Sequence, residues 1–119
     1  KLLHKKINNE DLSFLKKILI ALIVFFTICF LKSQLVRVLS NLSEIYCDLY
    51  SASCGNKEGL LLFFGESKIS WLKSQIYKLT DFHPSNTSRY NYIKNWNLDI
   101  RCMNKLQTIL HIIKIYLLY

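Results

Sequence analysis

The stretch that decides the fold is KKILIALIVFFTICFLKSQ, residues 16–34. Between Ile18 and Leu31 it carries fourteen residues without a charge. The hydrocarbon core of a bilayer is about 30 Å thick and requires about 20 apolar residues in a helix. Fourteen residues are too few by themselves, so the interpretation depends on what flanks them.

The flanks extend the apolar character of this run in both directions. Further apolar residues lie on the two sides of it: Leu12, Phe14, Leu15, Leu35, Val36, Val38 and Leu39. Lysines next to the run can keep their stems in lipid while their ammonium groups reach the two headgroup layers. The sequence therefore predicts a transmembrane helix whose flanking residues are Lys16, Lys17 and Lys32.

Two other interpretations of the run stay open. A buried core helix would normally keep a polar face, but residues 18–26 are apolar all round. A signal peptide requires small residues before its cleavage site, and the residues FLKS at 30–33 do not supply them. The flanks favour a membrane span over both.

The charges around the run predict an orientation. Two basic residues closely follow it, Lys32 and Arg37, and five precede it: Lys1, Lys5, Lys6, Lys16 and Lys17. The positive-inside rule then places the N-terminus in the cytoplasm or matrix. The sequence begins at Lys1 rather than Met, which fits a removed leader or a truncated sequence. Together these features favour a mitochondrial (organellar) inner membrane over the endoplasmic reticulum or the plasma membrane.

Beyond Lys32 the pattern becomes amphipathic. Four residues lie off the apolar stripe, namely Arg37, Asn41, Glu44 and Asp48. The stripe itself recurs at helical spacing through Leu35, Leu39, Leu42, Tyr46 and Leu49. No Gly or Pro interrupts residues 12–52, so we predict one helix over residues 12–50. Its stripe must pack on the rest of this chain or on a partner subunit.

The sequence after this helix predicts shorter elements. Glycine, serine and asparagine accumulate at residues 51–59 and predict the end of the helix. The segment LLLFF at 60–64 fits a strand or a helix. Residues 66–79 predict an amphipathic helix, and TDFHPSNTS at 80–88 predicts a loop. Residues 89–102 alternate polar and apolar side chains, which favours an extended segment, although a helix also fits.

The C-terminal segment NKLQTILHIIKIYLLY, residues 104–119, predicts a helix with a wide apolar face. Such a face must dock into apolar surroundings, either a membrane surface or other subunits. The residues assigned to this packing are Leu106, Ile109, Ile113 and Tyr116.

These segments predict a mainly α fold in which one long N-terminal helix includes a single transmembrane span. Shorter amphipathic helices and one extended segment follow it. The predicted organisation is a basic tail (1–11), a transmembrane helix (12–36), an amphipathic helical extension (37–52), a glycine-containing loop with a short apolar segment (53–65) and an amphipathic C-terminal region (66–119).

The composition predicts partners rather than chemistry. Sixteen Lys and Arg against eight Asp and Glu give a net charge of +8, which favours anionic partners. The four cysteines contain no CxxC pair, and no catalytic, phosphate-binding or metal-binding motif is present in the sequence. A local bridge between Cys47 and Cys54 is one open option. No catalytic residue, metal or cofactor is predicted.

Three functions fit this pattern. The leading one is a non-enzymatic single-pass accessory subunit, structural or for assembly, of a larger membrane protein complex. Its partners would be other protein subunits and the lipid bilayer. The second is a basic helical protein of a ribonucleoprotein particle, with Trp71 and Trp96 facing RNA. The third is a lumenal or secreted helical ligand, for which the glycosylation sequons at Asn41 and Asn86 would matter.

Overall fold

A computed structural model describes residues 9–65 and 69–119. The α-helices are α1 (Asn9–Ser51), α2 (Lys57–Phe64), α3 (Trp71–Thr80), α4 (Asn86–Asn95) and α5 (Lys105–Leu118). A π-helical turn over Ala52–Asn56 joins α1 to α2, and a short 3-10 turn, Ile100–Cys102, precedes α5. Within these two described ranges the fold contains no strand. The mainly α prediction is therefore confirmed.

The chain divides into two compact units, and the boundary falls in the sequence of α1 between Leu35 and Val36. The first unit, as far as it is described, is the N-terminal part of α1 from Asn9 onward. The second unit holds the remainder of α1 and all the other elements. The hydrophobic core described below belongs entirely to this second unit.

Helix α1 is 43 residues long, about 65 Å at 1.5 Å per residue. The helix ends at Ser51, at the start of the segment 51–59 that was predicted to end it. Gly55 has a φ of 98°, outside the helical region, so the backbone kinks there before α2 begins. A left-handed φ is accessible to glycine at little cost because glycine has no Cβ. The predicted long helix and its end near residues 51–59 are both confirmed.

Helices α2 and α3 lie before and after residues 66–68 in the sequence. The LLLFF segment lies within α2, which ends at Gly65 with a φ of 65°. Helix α3 begins after Ser70, whose hydroxyl accepts a hydrogen bond from the Lys73 backbone N–H. The amphipathic helix predicted over residues 66–79 is found from Trp71 onward, while residues 66–68 lie outside the described part of the chain.

The extended segment predicted for residues 89–102 is wrong over its first half. The Ser85 hydroxyl accepts a hydrogen bond from the Ser88 backbone N–H, so α4 begins inside the predicted loop. Tyr92, Ile93 and Trp96 then bury their side chains at positions i, i+1 and i+4, the spacing of one helix face. Both periods were present in this stretch, and packing against the core selected the helical one.

Helix α5 begins with a complete capping box. The Asn104 side chain accepts a hydrogen bond from the Gln107 backbone N–H, and the Gln107 side chain accepts one from the Asn104 backbone N–H. The predicted C-terminal helix is thereby confirmed, with its start fixed at Lys105.

The core of the second unit is built from the second part of α1, α2, α4, the 3-10 turn and α5. Tyr92, Leu49 and Ile93 are among the largest fully buried side chains. The other buried apolar residues are Ile45, Ala52, Phe64, Trp96, Ile100, Ile112 and Ile115. Helix α3 contributes no apolar residue to this set.

Candidate functional site

The N-terminal part of α1 is a candidate membrane anchor. α1 is long and apolar enough to cross a membrane, and none of its most apolar stretch is buried inside the chain. The large apolar side chains from Leu12 to Leu31 are 42–65% exposed. Lys16, Lys17 and Lys32, predicted to flank the membrane, are also exposed. The run is therefore not a core helix of this chain.

The second part of α1 buries a polar row, which we define as Arg37, Asn41 and Asp48. These side chains are 6%, 0% and 4% exposed, respectively. They are residues that lie off the apolar stripe in the sequence pattern. The inward face of α1 therefore coincides with the predicted stripe only at Leu49 and in part at Leu42, because polar partners elsewhere in the second unit hold the polar row inside.

Arg37 and Asn41 join α1 to the end of α3 and to α5. The Arg37 guanidinium donates hydrogen bonds to the Lys78 backbone carbonyl and, over 3.2 Å, to the Tyr116 hydroxyl. The Asn41 side-chain amide donates to the carbonyls of Arg37 at 2.9 Å and Asp81 at 3.0 Å. Buried polar groups cost free energy unless they are hydrogen-bonded. These bonds satisfy the amide nitrogen of Asn41, while its buried side-chain oxygen has no hydrogen-bond partner among the described residues.

Asp48 is the centre of an ion-pair network with α4. Arg89 donates to both of its carboxylate oxygens, at 2.8 and 2.7 Å, and the Tyr92 hydroxyl donates to it as well. Arg89 also lies 3.3 Å from the Glu44 carboxylate. Such a bidentate, charge-assisted pair fixes the register of two helices.

The electrostatics of this network favour its ionised state. Burial by itself would lower the pKa of Arg89, but the hydrogen bonds and charge of Asp48 outweigh it, so that pKa is raised. Burial raises the pKa of the Tyr92 hydroxyl well above its ordinary value, and the negative charge of Asp48 raises it further. The Tyr92 hydroxyl therefore stays a hydrogen-bond donor at physiological pH.

The imidazole of His83 is directed to Glu44 rather than to Asp81. His83 places its ring Nδ1 3.2 Å from a Glu44 oxygen, while Asp81 accepts a hydrogen bond from the His83 backbone N–H rather than from the ring. Within residues 9–65 and 69–119, no three His, Cys, Asp or Glu side chains converge as a metal site would require. The four cysteines, all in described segments, are free and exposed, so Cys47 and Cys54 are not bridged.

A cluster of hydroxyls joins α3, α4 and the last residue of the chain. The Ser74 and Ser88 hydroxyls lie 2.8 Å apart, and Ser85 donates to Ser88 over 3.0 Å. Ser88 in turn donates to the backbone oxygen of Tyr119 over 2.8 Å. These hydroxyls bond to one another and to the Tyr119 backbone, so the cluster links α3 and α4 to residue 119 by hydrogen bonds.

The residues assigned to partner packing fall into two groups. Leu49 is fully buried in the chain's own core, and Leu42 and Tyr116 pack partly against it. The remaining six are 40–66% exposed, namely Leu35, Leu39, Tyr46, Leu106, Ile109 and Ile113. Two of these six come from distant parts of the sequence but line the same groove.

This groove has a volume of about 550 Å³ and lies between α1, the 3-10 turn and α5. Tyr46 and Ile109 both line it, together with Tyr50, Met103 and Ile112. A separate row of apolar side chains on α5 points outward, with spacings of 4, 3 and 4 residues along the sequence. It consists of Leu106, Leu110, Ile113 and Leu117, which are 40–68% exposed. Leu110 and Leu117 belong to the wide apolar face predicted for this helix, although the residues assigned to packing did not include them.

The positions of the two sequons and of Trp96 bear on the alternative functions. Asn41 is completely buried with its amide donating two hydrogen bonds, so a glycan at that sequon is incompatible with this fold. Asn86 is exposed at the start of α4. Trp96 is only 7% exposed and donates to the Ser53 hydroxyl, so it does not offer a stacking surface for RNA.

Comparisons with known proteins do not assign this chain to a class, since no family model, no curated protein and no solved structure matches it.

Proposed function

We propose that the protein is a non-enzymatic, single-pass accessory subunit of a larger membrane protein complex. The observation that carries this proposal is the exposure of the apolar N-terminal part of α1, which is 42–65% per large apolar side chain from Leu12 to Leu31. In water so many adjacent exposed apolar side chains would cause aggregation, whereas a bilayer accommodates them.

The second unit supports the complex-forming part of the proposal. It has a core of its own, yet α5 presents the outward row Leu106, Leu110, Ile113 and Leu117. A 4-3-4 spacing of apolar residues is suited to packing against another helix. The groove between α1, the 3-10 turn and α5 adds Tyr46 and Tyr50 from α1 as further residues that a partner subunit could contact.

The proposed location is the inner membrane of an organelle, with a mitochondrion as the first candidate. The support for this location is the small basic N-terminal tail with Lys1, Lys5 and Lys6. The orientation follows from the positive-inside rule, because Lys16 and Lys17 add to these charges before the run, while Lys32 and Arg37 follow it. The N-terminus would face the matrix, or the cytoplasm if the membrane is a different one. Protease protection of a C-terminal epitope in isolated organelles distinguishes this orientation of the chain from the opposite one.

The proposal is tested by purifying the tagged chain in mild detergent and identifying what co-purifies. We expect a complex several times the mass of the chain on a native gel, and retention of the chain in membranes during alkaline carbonate extraction. Release by carbonate, or migration as a single free chain, would contradict the proposal.

A paired variant makes this test specific for the outward row. Leu110→Asp with Ile113→Asp places two charges on exposed positions, so the fold should persist while partners are lost. The matched control is Lys94→Asp on the exposed side of α4. The proposal requires that the control keep its partners and that the α5 variant lose them, with equal carbonate resistance for both.

A further inference from the structure

Helix α3 is amphipathic in the reverse sense from the usual surface helix. Its apolar side chains point outward, with Trp71 70%, Leu72 65%, Ile76 53% and Leu79 65% exposed. Positions 72, 76 and 79 are spaced by 4 and 3, so these residues form one stripe along the helix. A surface helix normally turns such a stripe toward the core.

The inward side of α3 is polar. Ser74 is 7% exposed and shares a hydrogen bond with the Ser88 hydroxyl. Lys78 is partly buried, donates to the Leu117 carbonyl over 3.4 Å, and its own carbonyl accepts from Arg37. Polar bonds therefore hold α3 with its apolar stripe facing away from the core, and that stripe needs an apolar environment outside the chain.

Charge and residue type identify the environment that fits. No carboxylate occurs within α3, Trp71–Thr80, and Lys73 is exposed close to the stripe. Tryptophan is enriched where apolar and aqueous phases meet, and lysines beside an apolar face attract anionic lipids. At ten residues, about 15 Å, α3 is too short to span a bilayer but long enough to lie along its surface.

We propose that α3 lies on the surface of a negatively charged bilayer. Trp71, Leu72, Ile76 and Leu79 enter the boundary between headgroups and acyl chains, and Lys73 contacts lipid phosphates. This inference rests on the proposed function only in that the anchor brings the chain to a membrane. It adds a second membrane-binding element, in the unit that does not contain the span.

The test places the full chain in vesicles of phosphatidylcholine, with or without phosphatidylglycerol, and follows tryptophan fluorescence. Trp96 is buried in the core, so subtracting the signal of Trp71→Phe isolates Trp71. We expect the Trp71 emission to shift to shorter wavelength and to be quenched by lipids with brominated acyl chains when phosphatidylglycerol is present. Acrylamide in the water should quench Trp71 at least twofold less in vesicles that contain phosphatidylglycerol than in vesicles of phosphatidylcholine alone.

Charge reversal at Lys73 tests the electrostatic part. Lys73→Glu should lose at least half of the bromolipid quenching in phosphatidylglycerol vesicles, while the exposed α4 control Lys94→Glu should keep it. Far-UV circular dichroism establishes that both variants are folded. Equal quenching in the two variants would overturn the role of Lys73, and with it the preference for anionic lipid.

The remaining outcomes separate this inference from the proposed function. A chain that resists carbonate extraction but whose Trp71 is not quenched by bromolipid overturns the α3 inference and leaves the anchor in place. Bromolipid quenching of a chain that carbonate releases supports α3 binding and overturns the anchor. Trp71 shielded from acrylamide in native membranes, but unquenched in protein-free lipid, overturns lipid as the occupant in favour of a protein.

Discussion

Residues 9–35 and residues 36–51 belong to the same helix, α1, but use their side chains in opposite ways. In the first region the large apolar side chains from Leu12 to Leu31 are all at least 42% exposed. In the second region Arg37, Asn41 and Asp48 are at most 6% exposed. Hydrophobicity alone does not decide which side chains of a helix are buried.

The difference shows that a polar side chain of α1 is buried where other segments supply groups that bond to it. Each polar side chain of the row meets a group roughly forty residues away in sequence: the Lys78 carbonyl, the Asp81 carbonyl or the Arg89 guanidinium. The most apolar stretch of the first region is not buried inside the chain, so its apolar surroundings must be supplied from outside.

Charges in the middle of the first region should abolish membrane anchoring. Ile23→Asp with Val24→Asp introduces two carboxylates, each costing about 2.5–3.5 kcal/mol at the centre of a membrane helix. We expect the variant to be released by alkaline carbonate, measured as the fraction of the chain in the supernatant.

The matched control adds the same two charges at adjacent exposed positions of the second unit, Asn97→Asp with Leu98→Asp. This control should remain in the membrane pellet. If the variant in the first region also remained there, the exposed apolar run would not be a span.

Removal of the Asp48 carboxylate should destabilise the second unit. Asp48→Ala leaves Arg89 without its bidentate partner and Tyr92 without its acceptor, and breaking a buried pair in this way costs about 3–5 kcal/mol. Denaturant unfolding of the full chain in detergent, followed by the fluorescence of buried Trp96, measures the change.

Glu58→Ala removes an exposed carboxylate from the first turn of α2 and serves as the control. We expect its free energy of unfolding to change by about 0.5 kcal/mol or less. Similar losses in the two variants would mean that the polar row does not hold α1 in place.

Alkaline pH should destabilise the fold through Tyr92. Its pKa is raised in the folded state, so the stabilisation from its protonated form is complete below the ordinary value near 10 and is lost as pH rises above it. The free energy of unfolding should fall by about 1.4 kcal/mol per pH unit there.

Tyr92→Phe should remove this part of the slope, whereas Tyr46→Phe, which deletes a hydroxyl from a 43% exposed side chain, should keep it. The measurement is a series of denaturant titrations across the alkaline range. An unchanged slope in Tyr92→Phe would show that its hydroxyl is not held protonated by the fold.

Two glycine-to-alanine substitutions near the junction of α1 and α2 should change the stability of the fold in opposite directions. Gly55→Ala forces a side chain into a left-handed backbone with a φ of 98° and should cost about 1–2 kcal/mol. Gly59→Ala lies within α2, where an added Cβ meets open space, and should stabilise by about 0.5–1 kcal/mol.

Thermal unfolding of both variants measures these changes side by side. The result that would contradict the assigned kink is stabilisation by Gly55→Ala, since that would indicate a continuous helix through the turn.

Several elements could be predicted because their signals are local. The apolar run, the lack of Gly and Pro over residues 12–52 and the glycines after it predicted α1 and its end. The helix α4 could not be predicted with the same success, because its residues carry both a period of two and a helical period. Only burial of Tyr92, Ile93 and Trp96 together distinguishes them.

The burial of the residues assigned to partner packing could not be predicted from their spacing. Leu39, Tyr46, Ile109 and Ile113 are exposed, while Leu49 belongs to the chain's own core. A stripe in a sequence gives the spacing of apolar residues on a helix but not the direction in which the helix is turned. For α1 that direction depends on Arg37, Asn41 and Asp48, whose bonding partners lie far away in the sequence.

The sequence by itself determined that residues 18–31 form an uncharged apolar segment in a long helix, because charge, length and helix breakers act within a few residues. The burial of the polar row of α1 and the outward direction of Leu72, Ile76 and Leu79 on α3 depend on contacts between segments that are distant in the sequence. The physical reason is the cost of an unpaired buried polar group, which can be avoided only when distant segments supply matching donors and acceptors.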